Sequence, residues 1–255
     1  MKNKKYNYLI ILLVAILILS SILAIKTILR ENNEKASQDN LLAQKQELEN
    51  TYLEQNVSEE INEISDKEAT LIANQKLAEQ NSDFTGWLKI ENTTINYPVM
   101  YTPDDYDYYL RKNFNQEYAL SGELFIGLDC SIEEPKFNTI IYGHNMHNHT
   151  MFSDLTLYAE ETYYQQHQFI QFDTLNENRT YQIFAVFQEQ LSQTDTFKYY
   201  TYLDYNPIFV NKVDELKLYD TGITIDENDQ ILTLSTCDNY ATEGRFVVLA
   251  KLIQE

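Results

Sequence analysis

Hydrophobic and polar positions divide the chain into three textures. From Tyr8 to Ile25, eighteen consecutive positions carry no charge. That length is at the lower edge of what crosses a hydrocarbon core of roughly 30 Å as a helix, so the pattern predicts a membrane anchor over residues 8–25 behind a short N-terminus of residues 1–7. Lys2, Lys4 and Lys5 precede the run and Lys26 and Arg30 follow it, so the positive-inside rule leans only slightly toward a cytoplasmic N-terminus and an extracellular remainder. A cleaved signal peptide is the rival reading. Against it stand an apolar run longer than the usual ~7–15 residues and the lack of a clear pair of small residues at a cleavage point.

The second texture, from Glu31 to about Ser82, contains neither Gly nor Pro and is rich in helix-compatible Gln, Glu, Leu and Ala. Leu41, Leu48, Tyr52, Val57, Ile61 and Ile64 recur at broadly helical spacing without a sustained heptad. Residues 26–82 are therefore expected to form a helical juxtamembrane linker whose last part docks on a folded domain.

The third texture starts at Phe84-Thr85-Gly86-Trp87, where short apolar runs rich in β-branched and aromatic residues alternate with turn residues. Strands are expected at Gly86 to Ile90, Ile95 to Val99, Glu123 to Phe125, Asn138 to Tyr142, Phe169 to Asp173, Arg179 to Gln188, Gln230 to Cys237 and Arg245 to Ile253. Asp105 to Arg111, Thr150 to Ala159 and Asn206 to Leu218 read as short helices, the last with Ile208, Phe209, Val213 and Leu216 on one face. About eight short strands in residues 83–255 point to a mostly β domain, a barrel with short helices.

Charge narrows the partners. The formal net charge is -20, and since the first thirty residues hold five basic and no acidic side chains, the acid excess lies wholly beyond them. A surface of that sign repels phosphate backbones, which sets nucleic-acid binding aside. Two cysteines, Cys130 and Cys237, are too few for a disulfide framework in a domain of this size. A single bridge between them would silence Cys237 as a nucleophile.

Three residues stand where catalysis would use them. Asn138-Thr-Ile-Ile-Tyr-Gly-His144 is an apolar strand that ends by presenting a histidine at a loop mouth. Ile231-Leu-Thr-Leu-Ser-Thr-Cys237 ends in a thiol just before a polar loop, and Arg245 opens the next strand, so a hairpin-like connection brings Arg245 beside Cys237. A thiol of ordinary pKa, about 8.5, is only a few per cent thiolate at neutral pH and needs a base or a cation nearby. His144 supplies the first. Arg245, always charged and with several fixed donors, suits a developing oxyanion. Read singly, His144 would be taken for a structural or surface histidine, and its companions give it its case.

NTIIYGH, TLSTC and the arginine eight positions past the cysteine resemble the sortases, with the fit closest to class B. GWLKIENTTINYPV from Gly86, MFSDLTLY from Met151 and RFVVLAKL from Arg245 extend the resemblance from about Phe84 to the C-terminus. The segment Gly122 to Cys130 departs from the compact apolar-then-acidic pattern expected there.

The resemblance implies an eight-stranded β-barrel preceded by N-terminal helices and a transmembrane helix, anchored in the cell membrane with the catalytic domain outside. It implies a cysteine transpeptidase that cleaves a C-terminal sorting motif of secreted proteins after threonine and transfers them to a peptidoglycan amine. Carried over by position, Cys237 is the nucleophile, His144 the proton-transfer residue and Arg245 the carbonyl holder, with no metal and no cofactor. Ser235, on the same side of its strand as Cys237, is a candidate for substrate binding or for supporting the thiol, and reads equally as an ordinary barrel-lining serine.

Several alternatives stay open on the residues alone. His144, His147 and His149 cluster like metal ligands but lack a matching Cys or acid. Cys130 reads as a small buried apolar residue. The tyrosine-rich stretch Phe197 to Tyr205 fits either a peptide groove or aromatic packing under the following helix. Chain order and the residues around Cys237 speak against wall-directed peptidases and L,D-transpeptidases, and a non-catalytic membrane-tethered scaffold of the same fold is the alternative from a different class.

Overall fold

The computed structural model describes residues 2–56, 63–130, 136–190, 197–238 and 244–253. With no Gly or Pro to interrupt it, the N-terminal region forms α1, Lys2–Gln55, one unbroken helix that carries the apolar run directly into the polar segment. The helix α2, Glu63–Gln80, folds back alongside it. Leu41, on α1, and Leu77, on α2, are buried against the domain, and Leu48 packs beside them. Val57 and Ile61 lie outside the described residues. Most side chains from Tyr8 to Ile25 are apolar and exposed, in a window of mean hydropathy 3.0, so among the described residues one helix is long and apolar enough to cross a membrane.

Eight strands follow, each within a residue or two of its expected place. They are β1 (Phe84–Lys89), β2 (Asn96–Met100), β3 (Leu124–Ile126), β4 (Asn138–Tyr142), β5 (Phe169–Thr174), β6 (Thr180–Gln190), β7 (Ile231–Asp238) and β8 (Gly244–Leu252). They close into a barrel in the order β1-β2-β3-β4-β7-β8-β6-β5, with β2/β3 and β4/β7 parallel and the other pairs antiparallel. Closure removes the exposed sheet edges that would otherwise template aggregation.

The expected helices at 105–111 and 150–159 are shorter 3-10 turns at Tyr108–Arg111 and Ser153–Ala159, and in the second Met151 takes a positive φ of 58° that keeps residues 150–152 out of a helix. The short polar helix α3, Glu161–Gln166, has too little apolar periodicity to be read from sequence. The helix α4, Pro207–Leu216, starts where Asn206 caps the Ile208 amide and Pro207 occupies the first turn.

Strand alternation decides which side chains reach the site. Along β7, Leu232 and Leu234 enter the barrel interior while Ile231 faces out. Along β8, Phe246, Val248 and Ala250 face in while Val247 and Leu249 face out. Ser235 and Cys237 share the parity of Ile231, and Arg245 that of Val247, so all three belong to the outer surface. Two covers lie on that surface. One is α1 and α2 over Trp87, Phe114 and Phe125. The other is residues 197–225, with α4, over Phe187, Val247 and Leu249. Each large apolar side chain buried this way contributes about 1.5–3 kcal/mol.

Candidate active site

The parallel pairing of β4 with β7 sets the geometry of the rim. Tyr142 pairs with Ser235, and the same register carried two residues onward puts His144 level with Cys237. Side-chain and backbone bonds stitch the two chain ends beyond the regular ladder. The Gly143 amide donates to the Ser235 carbonyl at 3.2 Å, Thr236 Oγ1 donates to the Gly143 carbonyl at 2.8 Å, and Asn145 Nδ2 donates to the Cys237 carbonyl at 3.0 Å. Gly143 itself is required: a Cβ there would run into Leu124 Cδ2 and lie 2.7 Å from Phe152 Cδ2.

On the other flank, the antiparallel β7/β8 ladder pairs Cys237 directly with Arg245. Residues opposite one another on such a pair have Cβ atoms about 4.5–5.5 Å apart on the same face. Cys237 is exposed and Cys130 is buried, and both are free thiols, so no bridge withholds the sulfur. Burial pushes the Cys130 thiol above its usual value, which keeps it protonated and unreactive. The polar loop after Cys237 falls mostly on residues 239–243, outside the described residues.

His144 is half-buried and held from three directions. Its carbonyl accepts from the Phe152 amide at 2.9 Å, Asn145 continues into a bridge with Met151, and its Nε2 lies 2.9 Å from the Leu110 carbonyl. A carbonyl oxygen only accepts, so Nε2 carries the hydrogen and Nδ1 of the neutral ring is left as the acceptor. Burial lowers the imidazole pKa below its ordinary 6.5. The Leu110 carbonyl opposes the shift, and the Arg111 charge adds to it. The ring is therefore neutral at pH 7, a base ready to take a proton. His147 and His149 point to solvent, and among the described residues no three His, Cys, Asp or Glu side chains gather as metal ligands.

Ser235 is 1% exposed, with Oγ 2.6 Å from the Tyr199 hydroxyl. Burial pushes the Tyr199 phenol up to about 12; the Ser235 bond and the nearby Arg245 charge pull it down, while Glu189 pushes it up. Glu189 pairs with Arg245 across β6 and β8, so Cys237, Arg245 and Glu189 form one row across three strands. The stretch Phe197 to Tyr205 packs as aromatic cover: Phe197 stacks on Tyr202 and Phe209, and Phe137 meets Tyr205 edge-on.

Leu110, Asn145 and Tyr199 were not singled out from sequence. Asn145, one residue past His144, was within reach of a motif reading. Leu110 acts through its backbone oxygen, and Tyr199 sits among neighbouring aromatics, so neither carries a signal in residue type.

The closed eight-stranded barrel holds a free thiol, an imidazole and a guanidinium at one rim, the groups that a cysteine acyl-transfer enzyme uses. The sortase-domain family profile matches residues 88–253. The chain is 34% identical over 184 residues to Sortase B of Listeria monocytogenes, covering 69% of this chain and 72% of that one. It is 27% identical over 262 residues to Sortase B of Staphylococcus aureus, covering 100% and 99%. A solved structure described as a Staphylococcus aureus sortase B-substrate complex superposes with a TM-score of 0.73 at 26% identity, over 89% of this chain and 99% of that one. The chain belongs to the sortase family, with relatives of class B, and is a cell-wall sorting cysteine transpeptidase.

Proposed function

We propose that Cys237, His144 and Arg245 carry the transpeptidation, with residues 8–25 as a single membrane span, the N-terminus cytoplasmic and the barrel from residue 83 outside, joined through the helical linker 26–82. The observation that carries this reading is the rim itself: Cys237 faces Arg245 across the β7/β8 ladder, and the β4/β7 register brings His144 to the same level.

In the reaction so read, His144 Nδ1 takes the proton from Cys237 Sγ as the sulfur attacks the carbonyl carbon of the scissile bond after threonine. Arg245 donates to the carbonyl oxygen as charge gathers there. The carbon–nitrogen bond breaks, the imidazolium gives its proton to the leaving amine, and a thioester remains on Cys237. An incoming peptidoglycan amine then attacks the thioester carbon, gives up a proton through His144, and releases the thiol. The partners are secreted proteins with a C-terminal signal of the Asn-Pro-Gln-Thr-Asn kind or a Pro-x-Thr-Gly variant. Ser235 contributes to substrate placement by way of its Tyr199 hydrogen bond. Support for the extracellular placement comes from the apolar α1 and its flanking lysines.

The test is a peptide-library screen with the purified protein, reading the scissile bond and the amine acceptor by mass spectrometry. Cleavage after threonine with a thioester trapped on Cys237 is expected, and its loss in His144→Ala is expected with it. A library cleaved elsewhere, or a His144→Ala variant at near-normal rate, overturns the assignment. Because the imidazole pKa is lowered, kcat/KM is expected to hold down to a pH below 6.5 and to fall only as Nδ1 becomes protonated.

A further inference from the structure

The barrel grips α1 immediately beyond its apolar run. The Glu34 carboxylate accepts from the Leu120 amide at 2.8 Å and the Ser121 amide at 3.0 Å. The Arg30 guanidinium lies 4.9 Å from the centre of the Tyr118 ring, and Tyr118 is 60% exposed. Since α1 is unbroken from Lys2 to Gln55, its rise of about 1.5 Å per residue converts these contacts into heights. Arg30 stands about 7–8 Å beyond Ile25, and Glu34 about 13–14 Å. The polar layer on each side of a bilayer is roughly 5–7 Å deep.

We infer that the barrel loop at 118–121 rests on the lipid headgroup layer, with Tyr118 as an interfacial aromatic supplied by the domain and Lys26 and Arg30 as cationic companions on α1. An amphipathic ring beside basic side chains is what that layer accommodates best. The contact has a consequence for the catalytic rim. Arg111 Nη1 donates to the Leu120 carbonyl, and the carbonyl of Leu110, one residue before it, holds His144 Nε2. A bonded path of few links thus runs from Glu34 through Leu120 and Arg111 to the histidine, fixing the rim at a set height over the membrane instead of leaving it on a swinging tether. This inference rests on residues 8–25 spanning the bilayer.

The test uses the full chain in phosphatidylcholine–phosphatidylglycerol vesicles whose acyl chains carry bromine near the headgroups. Trp87, the one native tryptophan, is buried at 3% exposure and hydrogen-bonded to Asn96, so it gives a constant background. Tyr118→Trp is expected to lose about half of its added emission to the brominated lipid. Asn228→Trp, at the far end of β7 and about 25 Å from the rim by strand rise, is expected to lose none. In an Arg30→Ala/Glu34→Gln background the Tyr118→Trp quenching should fall while the protein still floats with vesicles. Flotation with an unquenched residue 118 overturns the docked loop and leaves the anchor standing. Failure to float overturns the anchor and this inference together.

Discussion

The outer surface of the barrel carries two covered patches, and each brings a reactive or titratable group to a different end. Under α1 and the Tyr108–Arg111 turn, Glu123 precedes β3 at 2% exposure, its Oε1 accepting the Phe114 amide. Burial pushes that carboxyl up to about 8. Under residues 197–225, the outer row of β7 and β8 runs from buried Ile231 and Thr233 to exposed Cys237 and half-buried Arg245. Both patches use the same outward strand parity. They differ in where the cover stops: the helical cover closes over Glu123, while among the described residues the 197–225 cover leaves Cys237 exposed. A nucleophile needs the open end. A carboxyl group sealed at the closed one only costs stability.

The strongest way to break this contrast is at the open end. Cys237→Ala should abolish transpeptidation with little change in Tm, since an exposed side chain at a strand end leaves no cavity. In the native protein, iodoacetamide should label Cys237 and leave Cys130 intact, read by peptide mass mapping. Labelling of Cys130 at the same rate would mean that the two sites do not differ as described. Arg245→Lys comes next. It keeps the charge but loses the fixed fork of donors, and a missing oxyanion donor costs on the order of 3–4 kcal/mol, or 10²–10³ in kcat. A lysine variant within threefold of wild type would take the guanidinium out of the transition state.

The closed end is tested by pH. An unfolded Glu123 ionises near 4.5, whereas the folded one keeps its proton to about 8. Between those values the native state binds more protons than the unfolded state, so stability falls as pH rises, and the cost is complete above pH 8. Removing the titration in Glu123→Gln should leave the wild type losing stability relative to the variant from pH 5 to 8, by roughly 2–4 kcal/mol over the window. Thermal melts of both proteins across that range give the difference directly, free of the buried amide's own pH-independent cost. A flat difference would show that Glu123 is ionised within its pocket.

Fold and site were unequally legible. The strands could be read because period-2 alternation, as in Leu232, Leu234 and the residues between them, records the two faces of a sheet. That His144, Cys237 and Arg245 fall at one rim could be read because each lies within two residues of the end of such a strand. The 3-10 turn at Ser153–Ala159 could not, since the positive φ of Met151 goes with its amide donating to the Tyr97 hydroxyl, a contact made across a long stretch of chain, and with the Phe152 amide returning to the His144 carbonyl. Continuity of α1 past the apolar run was equally hidden: residues 26–37 are compatible with helix but carry no signal that the apolar and polar segments share one axis. The burial of Ser235 depended on the cover supplied by residues 197–225, which strand parity alone does not report.

That cover leads to the smallest expected effect and the finest distinction. Ser235 lies two residues from Cys237 yet is buried, with its hydroxyl bonded to Tyr199. Removing either hydroxyl strands the other, so Tyr199→Phe and Ser235→Ala should each cost about 1–2 kcal/mol of stability. The double variant strands neither and should cost less than the two together, with a coupling of about 1 kcal/mol. Activity separates two roles. If Ser235 touches substrate itself, Ser235→Ala raises KM whether residue 199 is Tyr or Phe. If it acts through Tyr199, whose hydroxyl shares its surroundings with Arg245, Ser235→Ala loses its effect once Phe occupies position 199. With Ser235 1% exposed, the second result is expected: a loss below tenfold in kcat/KM for each single variant and no further loss in the pair. An effect of Ser235→Ala that persists undiminished beside Phe at 199 would return the serine to direct contact with the peptide.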